Sequence, residues 1–411
     1  LQQQHFAVGG AEAGGIMSLM NPNIPEDVRA VAANGTQLRY KLMELSAQYP
    51  DAIALGRGDP DLTTPAHIIQ ATENAIRQQR TGLAPAAGLP ELRQAVAQKL
   101  RSDNGLPADA ENVIITTGGQ EALFLIMQVL LDPGDEVLVP DPRYTSYDEA
   151  IDSAGGKIVL VPTDHADAFN LRPEAVEAAI TPRTKAILLI TPSNPTGGIV
   201  TEERLRQIAD IAIRHNLIVI SDEIYEKFVY APWQHFSIGS LPGMAERTIT
   251  LNGFSKSYAM TGFRVGYVAA PRNFIEVMAK VKAITTGPAA TISQWAAYAA
   301  ISGPQDAIAD FHRIYSERRQ IMMDGLHKMH LDFSEPRGAF FLWTNSSPTG
   351  IHATELSYLL LKEGRVLIFP GTGFGENWGG YLRISILQST DLLREALTRM
   401  APIIARYRDS D

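Results

Sequence analysis

The chain has no cysteine in its 411 residues, which removes disulfides, thiolate metal ligands and cysteine nucleophiles together. It also lacks a long hydrophobic run. The longest strongly apolar stretch, Ala122 to Leu131, is interrupted by Gln128 and falls well short of the ~20 residues of a membrane-spanning helix. Lys and Arg are scattered rather than gathered on one face, and no block of like charges stands out. Nucleic acid and membrane are therefore not expected as partners. Residues 1–15 have no basic segment followed by an apolar one, so they read as an N-terminal extension rather than a secretory signal, and the cytoplasm is the default location. There is no internal repeat or low-complexity tract. What remains is an ordinary globular composition, 45% hydrophobic and 20% charged with a net charge of -9. The length exceeds what one compact core usually holds, so two domains are expected.

Through the middle of the chain, short β-branched runs alternate with longer helical patterns, which predicts an α/β fold. The expected strands are Val113 to Thr116, Glu136 to Val139, Lys157 to Val161, Ala186 to Thr191, Leu217 to Ser221, Thr248 to Leu251 and Val265 to Ala269. Most are apolar on both faces, the pattern of a buried, mostly parallel seven-stranded sheet flanked by helices. Leu205, Ile208, Ala209 and Ala212, like Leu123, Ile126, Met127 and Leu130, fall at helical spacing and read as core stripes. The character changes at Ser302 to Pro304, where a turn signal precedes a charged helix (Tyr315 to Met329) and further strands at Ala339 to Trp343 and Val366 to Phe369. The expected division is a large domain over 62–303 and a smaller α+β domain built from both chain ends, 16–61 and 304–411.

Four features sit at the ends of predicted strands: Asn194-Pro-Thr-Gly197, Asp222-Glu-Ile-Tyr225, Ser255-Lys256, and Arg264 eight residues later. Loops after buried strands are where α/β folds place ligands. Singly, each is an ordinary turn, helix cap or surface loop; jointly they form an ordered set that includes an amine nucleophile, a carboxylate, hydroxyl donors and a guanidinium.

The set resembles the fold type I pyridoxal-phosphate enzymes, specifically the class I/II aminotransferases, most closely in Ser255-Lys-Ser-Tyr-Ala-Met-Thr-Gly-Phe-Arg-Val-Gly-Tyr267. The similarity extends over nearly the whole chain, through Gly58-Asp-Pro-Asp61, Gly88-Leu-Pro-Glu-Leu-Arg93, Gly118-Gly119, Asp141-Pro-Arg-Tyr144, Pro370-Gly-Thr-Gly-Phe-Gly375 and Leu382-Arg-Ile-Ser385. It implies pyridoxal phosphate as cofactor, an amino-acid donor, a 2-oxo-acid acceptor such as 2-oxoglutarate, and a homodimer with active sites near the subunit interface. It makes Lys256 the catalytic residue, the amine that bonds the cofactor aldehyde and moves protons. Asp222 is the carboxylate expected beside the ring nitrogen, which must stay protonated for the ring to draw electrons. Asn194 and Tyr225 are implied as donors to the ring's phenolic oxygen, and Tyr144 as the aromatic lid. Gly118 and Gly119, opening a helix whose N-terminus attracts anions, would cup the phosphate together with Gln120, Ser255 and Arg264. Arg383 is implied as the bidentate clamp on the substrate α-carboxylate. Gly58, Tyr144 and Asn194 would share in binding substrate.

Other signals carry less. Gly371-Thr-Gly-Phe-Gly375 lacks the strand, helix and acidic residue of a dinucleotide fingerprint and reads as a turn. His327 and His330 have no carboxylate pattern beside them, so no metal site is expected. Two departures from the family pattern stand out. Leu83 occupies the place where many relatives carry a Tyr that reaches the phosphate across the dimer interface. Gln120 stands where relatives selective for acidic substrates can place a Lys, which argues against strict aspartate specificity. A lyase, decarboxylase or cyclising synthase on the same scaffold is the alternative, because the cofactor stabilises a carbanion whichever bond breaks. A ligand-sensing regulator is a more remote one, since the region before the first motif shows no basic helix-turn-helix pattern.

Overall fold

The computed structural model describes residues 35–408. The expected extension 1–15, the portion 16–34 assigned to the small domain, and residues 409–411 lie outside the described residues. A helix, α1 (Gly35–Ser46), and a short strand, β1 (Ile53–Ala54), come first, followed by helices α2 (Ala66–Arg77) and α3 (Pro90–Asp103). Strands and helices then alternate as β2 (Val113–Thr116), α4 (Gly118–Leu130), β3 (Glu136–Asp141), α5 (Ser146–Ser153), β4 (Lys157–Pro162), α6 (Pro173–Ala178), β5 (Thr184–Ile190), α7 (Glu202–Arg214), β6 (Ile218–Asp222), β7 (Thr248–Gly253) and β8 (Gly266–Ala269). Helices α8 (Arg272–Thr285), α9 (Thr291–Ser302) and α10 (Asp306–Lys328) lead to β9 (Asp332–Ser334), β10 (Phe341–Asn345), α11 (Ala353–Lys362), β11 (Val366–Leu367), β12 (Phe369–Pro370), β13 (Tyr381–Ser385) and α12 (Thr390–Arg408).

All seven strands expected in the middle region join one sheet, in the order β2-β8-β7-β6-β5-β3-β4. Only β8 runs against its neighbours, pairing antiparallel with β2 and β7. The central strands are buried on both faces because helices cover them; α7 lays Leu205, Ile208, Ala209 and Ala212 onto the sheet, the stripe read from spacing. β4 is the exception, an edge strand with Lys157, Leu160 and Pro162 exposed. β4 and β5 lie on opposite sides of β3, so the strand order reverses there. A crevice opens at such a point beyond the carboxyl ends of the strands.

A second, four-stranded antiparallel sheet has the order β12-β13-β10-β9. Beside it, β1 pairs in parallel with β11, Ile53 opposite Val366, so segments from both ends of the chain come together. Most strands of the large sheet differ from expectation by one or two residues at an end, and in the later part of the chain three differences have a visible cause. α10 begins at Asp306 rather than Tyr315, since Phe311 already belongs to the stripe that continues through Tyr315, Arg318, Met322 and Leu326. β10 starts at Phe341 because Ala339 has φ +57, outside the extended region. The run Val366 to Phe369 divides into two strands with different partners, β1 for one half and β13 for the other.

Candidate active site

The crevice is a cavity of about 360 Å³, within the range of small-molecule sites. Each residue implied from the sequence lines it, apart from Gly118. Gly118 stands behind Arg264: a Cβ added there would fall 2.6 Å from the guanidinium, and its φ of +79 is one that glycine adopts without strain. This lets Arg264 lie against the start of α4. Arg264 itself has left-handed backbone and donates to the Thr261 carbonyl at 3.2 Å. Ser255 and Gly119 also line the cavity. A helix N-terminus, a hydroxyl and a guanidinium are thereby brought together in an arrangement able to hold a phosphate.

Lys256 lies just beyond β7, its amine donating to the Gly58 carbonyl at 2.8 Å and standing 3.6 Å from Asp59. Burial pushes the amine below the ordinary lysine range. Asp59 pulls it back up, and the nearby Arg383 and Arg264 push it down. The result is an amine that surrenders its proton more readily than a solvated one. Gly58 contributes its carbonyl, and its Cα faces the Phe341 ring, which an added Cβ would meet at 3.4 Å.

Asp222, the last residue of β6, is buried. The Tyr147 hydroxyl donates to it at 2.8 Å and the Ile224 N–H at 3.1 Å, yet burial still raises its carboxyl to about 6. Among the described residues no cation forms an ion pair with it, so a protonated ring nitrogen would supply the missing charge. Tyr225 is buried, its ring nearly perpendicular to those of Phe340 and Phe341. Burial pushes its hydroxyl upward while Arg383 opposes that.

Arg383 projects from β13. It donates to the Asn194 side-chain oxygen at 2.8 Å and to the Gly56 carbonyl. Its guanidinium carbon lies 4.3 Å from the Phe341 ring centre and 4.5 Å from that of Phe374. Among the described residues no carboxylate lies within ion-pairing distance. Burial and then Arg39 lower it to about 9, leaving a buried cation at neutral pH with spare donors, including an unpartnered Nε. Such a group calls for an anion. Tyr144 packs edge-on against Tyr147 at 5.6 Å and accepts from Gln120 at 3.1 Å; Gln120 also donates to Ser146 at 3.2 Å.

Among the cavity residues without a sequence-assigned site role, Tyr147, Asp59 and Arg39 stand out for their polar contacts. Tyr147, three residues after Tyr144, holds Asp222, and its place in the first turn of α5 was the available signal. Asp59 lies inside the quoted Gly58-Asp-Pro-Asp61 motif. Arg39, on α1, belongs to no motif; it donates to Thr145 Oγ1 at 2.7 Å. Gly371-Thr-Gly-Phe-Gly375, expected as a turn, winds into a short 3-10 helix over Gly371–Phe374 and seats the Phe374 ring 4.5 Å from the Arg383 guanidinium carbon. His327 packs on Phe333, 4.6 Å between ring centres, and His330 follows α10 in left-handed backbone. Glu223, Glu226 and His235 do converge, but Lys99 already pairs with Glu226 there.

Comparison with known proteins matches residues 50–400 to the family model described as aminotransferase class I and II. The chain is 40% identical to an aspartate aminotransferase of Pyrococcus abyssi over 90% of this chain and 96% of the relative. It is 38% identical to aromatic-amino-acid aminotransferase 2 of Thermococcus litoralis, over 92% of this chain and 97% of that one. Among solved structures, the aspartate aminotransferase from Thermus thermophilus superposes with a TM-score of 0.85 at 39% identity, covering 93% of this chain and all of the other.

Proposed function

The chain belongs to the class I and II aminotransferases, and from that premise we propose that its cavity takes pyridoxal phosphate, an amino-acid donor and a 2-oxo-acid acceptor, with 2-oxoglutarate the first acceptor to try. The observation that carries this reading is the convergence of Lys256, Asp222 and Arg383, from three separate strands or strand ends, on one cavity. When bound, pyridoxal phosphate supplies an electron sink that stabilises the negative charge left at the substrate α-carbon. Arg264, Ser255 and the first turn of α4 bind the phosphate. Asp222, steadied by Tyr147, keeps a proton on the ring nitrogen. Arg383 holds the substrate α-carboxylate, and the aromatic rings around it exclude water and strengthen that hold. The Lys256 amine, freed for each half-reaction, would take the proton from the substrate α-carbon and return it to the cofactor carbon. The exposed Leu83 fits a surface covered by a second subunit, and we assign the protein as a homodimer on that ground and on the family resemblance.

The test is a single turnover. Purified holoenzyme is mixed with individual amino acids and no acceptor, and the 2-oxo acid released is quantified. One equivalent per site is expected from a true donor, with further release only after a 2-oxo acid is added. Lys256→Ala should reduce the rate by roughly 10³-fold or more, the scale of losing a positioned proton-transfer group. Carbon dioxide or ammonia released in place of a stoichiometric 2-oxo acid would instead favour lyase chemistry.

A further inference from the structure

Once Arg264 is given to the phosphate and Arg383 to the α-carboxylate, the cavity still contains a cation that neither role uses. Arg39 enters it from α1 with its Nη2 2.7 Å from Thr145 Oγ1. Its guanidinium carbon stands 5.2 Å from the Phe374 ring centre and 6.0 Å from that of Tyr144. Arg383 occupies another approach to the same Phe374 ring, at 4.5 Å. The two cations are therefore held near one aromatic ring, close enough for Arg39 to destabilise the charge on Arg383. Among the described residues neither has a carboxylate in ion-pair range. Like charges gathered without a counter-ion are costly unless an anion joins them. Arg57 also borders the cavity, but it is exposed, whereas Arg39 is half-buried and fixed by a hydroxyl and a ring.

We propose that Arg39 is a specificity-determining residue that receives a second carboxylate of the substrate, so that the site selects dicarboxylic amino acids and 2-oxo acids. The proposal rests on the aminotransferase reading above and extends it. It also changes what Gln120 implies: the cation is supplied from α1 rather than from the residue after Gly119. Gln120 instead grips Tyr144 and Ser146, the residues flanking the Thr145 that anchors Arg39.

L-aspartate and L-asparagine differ in charge but hardly in shape, so they isolate the effect. The ratio of their kcat/KM values is measured in the wild-type holoenzyme and in Arg39→Gln, Arg39→Lys and Arg57→Gln. In parallel, succinate and its monoamide are titrated against each protein by calorimetry, a readout that does not need turnover. The wild type is expected to favour aspartate and succinate. Arg39→Gln should lower both preferences by at least about tenfold, the scale of one charge-assisted hydrogen bond, and Arg39→Lys should restore part of each. No preference in the wild type, a preference that survives in Arg39→Gln, or one that falls instead in Arg57→Gln would overturn the assignment. If other amino acids yield 2-oxo acids while aspartate and glutamate do not, this proposal fails and the aminotransferase reading stands. If no amino acid does, both fail.

Discussion

Asp222 shows how one residue can serve function against stability. Its carboxyl is raised to about 6 by burial, whereas in an unfolded chain it would titrate near 3.9. The folded protein without cofactor therefore binds more protons than the unfolded chain between those values, and stability falls as pH rises through that window. Above pH 6 the cost reaches its full size, on the order of 3 kcal/mol for a shift of this kind. Asp222→Asn, close in shape and uncharged, should make the cofactor-free protein more stable at pH 7, with the difference shrinking toward pH 4. Chemical denaturation of both proteins at the two pH values measures it. The same substitution should cut turnover sharply, because an amide cannot hold a proton on the ring nitrogen. An apo-protein that lost stability at pH 7 would show that Asp222 is held mainly by its hydrogen bonds from Tyr147 and Ile224. Much of the site around this residue was legible in the sequence, because Asn194, Asp222 and Lys256 each follow closely on an apolar strand and, ordinary singly, form with Arg264 an ordered set that resembles a known family. Arg39 was not, since an arginine on a helix has no local mark, and contacts with Thr145, Tyr144 and Phe374, all over a hundred residues away, place it in the cavity.

At the scale of elements, the strands of the large sheet were readable because burial on both faces writes them as apolar runs, and the errors fell where tertiary contacts decide. The split of Val366 to Phe369 depends on two different partner strands, which no local pattern records. A similar long-range device fixes α4, the helix whose first turn borders the cavity beside Arg264. Glu121 in its first turn accepts from the Thr117 N–H at 2.5 Å and from the Lys282 amine on α8 at 2.6 Å, with the Thr286 hydroxyl also bound. The Lys282 side chain is fully buried. Glu121→Leu would strand that cation, and removing one partner of a buried pair typically costs roughly 3–5 kcal/mol. Adding Lys282→Met should recover most of the loss, since an apolar pair of similar volume replaces an ionic one at little net cost. Urea denaturation of the single and double variants separates the two. If the double variant is no more stable than Glu121→Leu, the pair is not what ties α4 to α8.

For the whole molecule, the site is divided between two sheets. Asp222 ends β6 and Lys256 follows β7, both central strands of the large one, while Arg383 rises from β13 of the small one and reaches across to Asn194 at 2.8 Å. Lys256 in turn meets Gly58 and Asp59, close to β1, which pairs with β11 beside the small sheet. A substrate whose carboxylate sits on Arg383 and whose α-carbon sits on Lys256 must therefore bridge both units. Its binding energy then favours their approach, and approach expels the water that would otherwise weaken the charge interactions. A ligand can shift such an equilibrium only by its difference in affinity for the two arrangements, so the ligand has to carry the carboxylate. Small-angle scattering of the holoenzyme should show a smaller radius of gyration with the α-methyl analogue of a good donor, which has no α-proton to lose. The corresponding amine, without the carboxylate, should leave the radius unchanged. In Arg383→Lys, which keeps the charge but not the two-pronged geometry, the contraction should be reduced at equal occupancy. Equal dimensions with and without the α-methyl analogue would mean that the cleft is already closed, and that Arg383 selects substrate without moving it.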